Sequence, residues 1–197
     1  MTPAVHPIEA ESYRILEQRV DLSKFGPVAR AVVARMVHAT ADLDYVGSMV
    51  VDEAAARAGV AALEEGAPVV CDVEMVRAGV AGAPACCHLG EVDGVTAAGR
   101  TRTAEAMAQA ACAHPEGAVI VVGCAPTALV EVVRLAGEGW FRPALVVGLP
   151  VGFVGAAEAK EALRASGLPA LSNVGEKGGS AAAAAAVNAL VRLVPEG

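Results

Sequence analysis

A histidine stands where an apolar helical pattern gives way to polar residues. Apolar side chains recur at helical spacing from Val28 to Val37, and His38 follows them directly, before Thr40 and Asp42. The pattern predicts that His38 lies at or near the C-terminal end of a helix, where unpaired carbonyl groups favour a positive charge. An imidazole there suits proton donation, so His38 is a candidate general acid. The alternative is a histidine that only caps its own helix.

Polar and glycine-rich loops follow the short apolar runs that alternate with predicted helices. In a parallel sheet, ligands bind beyond the carboxyl ends of the strands, where such loops enter the next helix. Helix N-termini present free N–H groups and the positive end of a dipole, and cationic side chains would strengthen their attraction for anions. The candidate binding residues in these loops are Asp72, Thr101, Arg102, Cys124, Lys177, Gly178, Gly179 and Ser180. We therefore expect a ligand that carries several carboxylates or phosphates.

Each of these candidates also has a purely structural interpretation. Asp72 could cap a helix, and Arg102 could be a solvated residue at a helix start. Gly178 and Gly179 could serve only to let the following alanine-rich helix approach the sheet. Cys124, after the central strand, could be a nucleophile, but a cysteine without a visible partner is more often inert.

Helical and strand-like patterns alternate through most of the chain. Helices are predicted near residues 8–19, after Gly26 and Pro27, and over 52–64, 74–79, 103–113, 126–137, 156–165 and 180–193. Short β-rich runs are predicted at 48–51, 68–71, 85–88, 118–122, 144–147 and 169–171. This alternation predicts an α/β fold with a mostly parallel five- to six-stranded sheet and helices on both faces. Without a linker, repeat or charge run to divide it, we expect one domain over residues 1–197.

Composition excludes several classes of function. The chain is 55% hydrophobic but only 3% aromatic, with a net charge of −7, which argues against a nucleic-acid groove. Its apolar runs are broken by Gly and Pro and fall short of the roughly 20 residues that span a membrane. Residues 1–6 show no secretory signal pattern, so we expect a cytoplasmic protein. The five cysteines form no C-x-x-C pair, which predicts reduced thiols and no metal site.

Nucleotide binding is the weaker interpretation of the strand–loop–helix units. Gly123 is followed by Cys, Ala and Pro, which departs from the G-x-G-x-x-G fingerprint. Residues 146–149 contain no acidic side chain to hold a ribose, and the spacing of a phosphate-binding P-loop is missing before Ser180. A nucleotide-dependent enzyme therefore remains only a third hypothesis.

Seven segments, in order and spanning nearly the whole chain, resemble the precorrin-8X methylmutase (precorrin isomerase) family of cobalamin (vitamin B12) biosynthesis. No single segment is decisive, but their combination is highly specific. The segments are Glu-Ser-Tyr-Arg-Ile at 11–15, Arg-Met-Val-His-Ala-Thr at 35–40 with Asp42, Cys-Asp-Val-Glu-Met-Val at 71–76, Thr-Arg at 101–102, Ala-Pro-Thr-Ala-Leu at 125–129, Gly-Leu-Pro-Val-Gly-Phe-Val at 148–154 and Lys-Gly-Gly-Ser at 177–180.

The resemblance implies an isomerase, an intramolecular methyltransferase that needs no cofactor and no metal. It would move a methyl group from C-11 to C-12 of a corrinoid ring, converting precorrin-8X to hydrogenobyrinate, or cobalt-precorrin-8 to cobyrinate. His38 carries over as the general acid. The implied partners are the corrinoid substrate and product, a second copy of the chain in a homodimer, and neighbouring pathway enzymes. The expected substrate contacts are Ser12, Arg14, Thr40, Asp42, Asp72, Thr101, Arg102, Cys124, Lys177, Gly178, Gly179 and Ser180.

Three positions depart from the pattern that the resemblance implies. The family pattern has asparagine at Cys124, glycine at Ala41 and a basic residue at Glu176. Cys124 lacks the amide donors and acceptor of asparagine, and Glu176 adds a negative charge near groups expected to receive carboxylates. These departures motivate a second hypothesis, in which the chain is a tetrapyrrole carrier that holds the product and passes it on.

Overall fold

A computed structural model describes residues 6–93 and 99–195 of the chain. Our expectation about a secretory signal concerns residues 1–6, which lie mostly outside these ranges. Nine α-helices and six strands form within the described ranges. The helices are α1 (Pro7–Arg19), α2 (Pro27–Thr40), α3 (Tyr45–Ser48), α4 (Glu53–Glu64), α5 (Glu74–Gly79), α6 (Arg102–Ala113), α7 (Pro126–Gly137), α8 (Ala156–Ala165) and α9 (Ser180–Val191). The strands are β1 (Met49–Val51), β2 (Val69–Cys71), β3 (Ala85–Cys86), β4 (Val119–Val122), β5 (Leu145–Gly148) and β6 (Ala170–Asn173). No helix in these ranges is both long and apolar enough to cross a membrane.

The six strands form one sheet in the order β1-β6-β5-β4-β2-β3. Five strands run parallel, with Val121 of β4 opposite both Cys71 of β2 and Val147 of β5. Only β1 is antiparallel, and it pairs Met49 with Asn173 at the carboxyl end of β6. The predicted mostly parallel sheet is therefore confirmed. Its boundaries differ slightly, because β3 ends at Cys86 and β6 continues to Asn173.

Alternate residues of the strands enter two separate apolar cores, as expected of a sheet covered on both faces. Val119, Val121 and Val147 join the core built with α2, α4, α5 and α9. Ile120 and Val146 join the core built with α6, α7 and α8. The sheet with helices on both faces is thus also as predicted.

Small side chains let α9 lie close to the sheet, so that a further helical layer can pack outside it. Ala183 and Ala186 of α9 are fully buried, and α9 contacts β4 and β5. Helix α2 packs against α9, and α1 packs against α2. Because β1 begins soon after α2 ends and pairs with the carboxyl end of β6, the C-terminal end of α2 lies at that edge of the sheet. The fold thereby places the end of α2, which carries His38, beside the loop at residues 175–180.

Candidate functional site

The His38 ring is held between two residues of α1. His38 lies in the last turn of α2, as predicted, and its side chain is half-buried. Ser12 Oγ lies 2.8 Å from His38 Nδ1, and the Tyr13 ring stacks on the imidazole with centroids 4.8 Å apart and planes 9° from parallel. Within residues 6–93 and 99–195, no group hydrogen-bonds to His38 Nε2. When the Ser12 hydroxyl donates to Nδ1, the neutral ring carries its proton on Nε2, which can then donate to a ligand.

An ion-pair cluster joins the end of α2 to the loop before α9. Lys177 Nζ lies 2.8 Å from Asp42 Oδ2 and 2.6 Å from Asp44 Oδ2. The hydrogen bonds that Lys177 donates to these carboxylates raise the pKa of Lys177, and the bond to Lys177 lowers the pKa of Asp42. Thr40 Oγ1 donates to the Met36 carbonyl and accepts the Asp42 N–H, which shapes the turn between them. Two carboxylates therefore neutralise the cation that we expected to meet the ligand.

The loop at residues 175–180 is held by hydrogen bonds to two neighbouring segments. Tyr45 Oη donates to the Gly178 carbonyl at 3.3 Å, and the Gly179 N–H donates to the Leu149 carbonyl at 2.9 Å. Gly179 precedes α9 and has no side chain to cap it. In the described parts of the chain, the N–H groups of Ser180 and the next two residues have no hydrogen-bond partner. These donors are available to an anionic ligand, as such helix starts commonly are.

Asp72 organises a neighbouring loop from inside the protein. Its side chain is buried, with Oδ1 accepting the Gly123 N–H at 3.1 Å and Oδ2 accepting the N–H groups of Cys124 at 2.9 Å and Ala125 at 2.8 Å. Burial raises the pKa of Asp72, and these three bonds oppose that rise. Asp72 does not cap its own helix, since the N-cap of α5 is Val73. The N–H groups that we expected to serve a ligand before α7 are thus occupied by an internal carboxylate.

The N-terminal ends of α6 and α7 meet at the same edge of the sheet. Thr101 caps α6 by accepting the Ala104 N–H, and its Oγ1 lies 2.7 Å from Thr127 Oγ1 in the first turn of α7. Arg102 donates from Nη2 to the Leu89 carbonyl at 3.2 Å, so its guanidinium already has a partner. These contacts join Thr101 to the loop that carries Cys124.

Two further candidates are less suited to bind or attack a ligand than the sequence suggested. Arg14 lies on the exposed face of α1 and pairs with Glu11 at 2.7 Å. The Cys124 thiol is exposed, and loss of solvation, with the nearby Asp72 charge, raises its pKa. A raised thiol pKa disfavours the thiolate that nucleophilic attack requires, so the structure supports the inert interpretation of Cys124.

Contacts therefore gather most of the candidates along the carboxyl ends of the strands, whereas Arg14 stands apart on α1. Sequence analysis missed Tyr13, which stacks on His38, and Lys160, which is fully buried beneath the 175–180 loop. Lys160 Nζ donates to Asn173 Oδ1 at 3.0 Å and to the Lys177 carbonyl at 2.6 Å. A signal for Lys160 was present, because it continues the apolar stripe of α8 between Ala156 and Leu163.

A groove of about 480 Å³ lies away from this edge and takes no part in the site. Its lining includes Val50, Ala58, Leu168 and Pro169, near the start of β6. The candidate residues instead border an open edge formed by loops.

Comparisons with known proteins agree with this arrangement. The family model for precorrin-8X methylmutase matches residues 7–193. A precorrin-8X methylmutase from Pseudomonas aeruginosa is 40% identical over 194 residues, covering 93% of each protein. A cobalt-precorrin-8 methylmutase from Priestia megaterium is 36% identical over 206 residues, covering all of this chain and 92% of that protein.

A solved structure is similar over nearly its whole length. The precorrin-8X methylmutase structure from Thermus thermophilus has a TM-score of 0.86 and 37% sequence identity, and the match covers 96% of this chain and 98% of that one. Both the sequence matches and the shared fold extend over all the elements that hold the candidate site. The chain therefore belongs to the precorrin-8X methylmutase family of cobalamin biosynthesis and is an isomerase.

Proposed function

We propose that the chain moves a methyl group from C-11 to C-12 of precorrin-8X or cobalt-precorrin-8, with His38 as general acid. The observation that carries the proposal is the fixed imidazole of His38, held through Nδ1 by Ser12 and stacked on Tyr13. A fixed ring with an available Nε2 is the arrangement that directed proton donation requires.

The proposed step conserves all atoms of the substrate. When the His38 ring is protonated on both nitrogens, Nδ1–H donates to Ser12 Oγ and Nε2–H gives its proton to the macrocycle. When the ring is neutral, Nε2–H donates a strong hydrogen bond instead. Either interaction draws electron density away from the macrocycle. The methyl group then shifts between adjacent carbons as its old bond breaks and the new one forms. The proton returns to His38, so the enzyme ends each cycle unchanged.

The edge around His38 offers both kinds of contact that a corrinoid ring would need. The ring's acetate and propionate groups could accept hydrogen bonds from the N–H groups of Ser180 and its neighbours, together with Lys177. The apolar side chain of Met75 follows β2 at the same edge and is open to contact the macrocycle, since it is 73% exposed. We retain the other sequence-predicted residues as proposed contacts, with Asp72 acting through the loop that it holds.

The test replaces the proposed acid and its partner separately. His38→Ala should fold normally but lower kcat by about 10²–10⁴-fold, the usual contribution of a general acid. Ser12→Ala should cause a smaller loss, because the ring stays but loses the bond that orients it. Ser23→Ala, an exposed serine on the α1–α2 loop, is the matched control and should retain full activity.

The assay follows the visible spectrum of purified precorrin-8X and, in parallel, of cobalt-precorrin-8. Conversion of many substrate molecules per chain would support the isomerase and reject a carrier as the only role. A spectral change that stops at one molecule per chain would favour the carrier. Undiminished turnover by His38→Ala would remove His38 from the mechanism. The faster of the two reactions would show whether the chain uses the metal-free or the cobalt-containing substrate.

We further propose that the chain is a cytoplasmic homodimer. All five cysteines are free thiols, which suits a reducing compartment. Phe153 is 95% exposed and Val154 is 89% exposed, and adjacent apolar side chains this open are typical of an interaction surface. Light scattering should give a dimer that Phe153→Ser weakens, and a monomer at all concentrations would reject this part of the proposal. Contact with neighbouring pathway enzymes is a remaining proposal that rests on the family alone.

A further inference from the structure

Three metal-ligating side chains converge beside the edge strand, outside the candidate active site. Cys86 lies at the end of β3, His88 follows two residues later, and His114 is the C-cap of α6. Cys86 Sγ lies 3.9 Å from His88 Nε2 and 4.0 Å from His114 Nε2, and the three ligand atoms all lie within 4.8 Å of one another. Thr101 and Arg102 lie at the opposite, N-terminal end of α6, about 18 Å away along a helix of this length, although the Arg102 side chain reaches the Leu89 carbonyl next to His88.

Hydrogen bonding alone explains this cluster only weakly. The Cys86 thiol can donate to one imidazole and accept from the N–H of the other, but sulfur is a weak donor and a weak acceptor. Both sulfur–nitrogen distances are also at the long end for a bond to sulfur. The two nitrogens and the sulfur instead converge on one small space, which is how ligands surround a shared ion.

The separations suit a small divalent ion after a modest contraction. Zinc takes Cys sulfur at about 2.3 Å and His nitrogen at about 2.0–2.1 Å, so tetrahedral ligand atoms lie roughly 3.5 Å apart. The sulfur–nitrogen distances need to shorten by a few tenths of an ångström from 3.9 and 4.0 Å. The two imidazole nitrogens, which lie within 4.8 Å of each other, must approach by up to about 1.3 Å to reach that spacing. All three residues are half-buried, so their side chains have room to rotate and water can reach the fourth position.

Glu91 provides an independent sign of a metal ligand. Its Oε2 lies 3.0 Å from His88 Nδ1. A carboxylate that accepts from Nδ1 places the lone pair of the neutral ring on Nε2, the atom nearest Cys86. Histidine ligands of metals commonly have this carboxylate partner, which fixes the ring and increases its basicity.

We propose that Cys86, His88 and His114 bind a divalent transition metal of the zinc class, with Glu91 positioning His88 and water as the fourth ligand. The ion would join the end of β3 to the C-terminal end of α6 and so brace this side of the sheet. The sequence predicted no metal site, since the adjacent Cys86 and Cys87 could not both join one tetrahedron and no C-x-x-C pair is present. The structure brings in only Cys86, and its second and third ligands are histidines.

The test titrates the full-length, chelator-treated protein with Co²⁺, a spectroscopic substitute for Zn²⁺. One ion per chain should bind, with intense visible bands of tetrahedral Co²⁺ and a thiolate-to-cobalt charge-transfer band in the near ultraviolet. Zn²⁺ should displace it and abolish both signals. Cys86→Ser should remove the charge-transfer band, and His114→Gln should remove tetrahedral binding.

Controls separate this site from general metal binding and from misfolding. Cys112→Ser changes an exposed thiol two residues from His114 on the same helix and should leave the titration unchanged. Glu91→Gln keeps all three ligands and should weaken Zn²⁺ binding by roughly 10- to 100-fold. Absence of stoichiometric binding by the native chain would overturn the proposal. So would cobalt spectra that survive Cys86→Ser and His114→Gln in variants whose circular dichroism is native.

Discussion

At the scale of single residues, Lys160 shows how a buried amine can hold the 175–180 loop of the candidate site. Lysine is rarely fully buried without partners, and here Nζ donates to Asn173 Oδ1 and the Lys177 carbonyl. Arg164 donates to the Asn173 carbonyl at 2.7 Å, so two cations hold the same turn. Burial, with repulsion from Arg164, lowers the pKa of Lys160 to about 8.

This lowered pKa predicts a pH-dependent stability. In the unfolded chain, Lys160 has the ordinary lysine pKa of about 10.4. In the folded protein its pKa is about 8, so it loses its proton at a lower pH. Stability contributed by the neutral amine is therefore fully present above the unfolded pKa and is lost as pH falls through 8. Urea unfolding should show the native chain gaining on the order of 3 kcal/mol relative to Lys160→Met between about pH 8 and pH 10.5. Lys24→Met, at an exposed lysine, should show no such divergence, and a pH-independent difference for Lys160→Met would contradict the prediction.

Ala41 offers a second test at a single residue, next to the helix turn that carries His38. It ends α2 with φ 55° and ψ 22°, the left-handed conformation in which glycine avoids a steric cost. The family resemblance implies glycine at this position, and the structure supplies the physical reason. Ala41→Gly should raise the free energy of unfolding by about 1 kcal/mol. Ala39→Gly, two residues earlier inside the same helix, should lower it by a similar amount, and equal losses from both changes would refute the argument.

At the scale of elements, Gly178 lets two loops meet. A Cβ at this position would overlap the carbonyl oxygens of Leu149 and Pro150, which belong to the backbone and cannot rotate away. Gly178→Ala should therefore cost about 1–3 kcal/mol of stability and raise KM, because it displaces the N-terminus of α9. Gly137→Ala, at the open end of α7, is the matched control, since nothing lies within 4 Å of its added Cβ. Native stability and native KM in Gly178→Ala would show that the loops can separate at no cost.

Local patterns predicted the elements well, but not the contacts between them. Period and capping residues located most helices within a few residues, as with Asp52, whose side chain accepts the Ala55 N–H at the start of α4. Asp72 was singled out correctly as a residue at a strand end, yet its partners lie 51 to 53 positions away on another strand's loop. Likewise, His114 meets Cys86 across 28 positions. Such contacts depend on strand order, which no local pattern specifies.

At the scale of the whole molecule, charge opposes the proposed substrate. The chain carries a net charge of −7, and a corrinoid with acetate and propionate groups is also negative. Two of the three cations expected to offset this are already paired with carboxylates, Lys177 with Asp42 and Asp44, and Arg14 with Glu11. Arg102 donates to the neutral Leu89 carbonyl and keeps its charge. In the proposed function, binding would therefore rely mainly on Arg102, short-range N–H donors and apolar contact against a repulsive long-range field.

Long-range repulsion between the chain and the proposed substrate predicts that kcat/KM rises with salt. Raising ionic strength from about 0.01 M to about 0.1 M shortens the screening length from roughly 30 to 10 Å, which removes long-range repulsion while leaving direct hydrogen bonds in place. We expect kcat/KM for the corrinoid to rise several-fold over this range. Asp44→Asn, which removes an exposed carboxylate beside Lys177, should raise kcat/KM at low salt and flatten the response. A steady fall of kcat/KM with salt in the native chain would mean that local cations dominate substrate capture, and that Lys177 binds the substrate more strongly than its two carboxylate partners suggest.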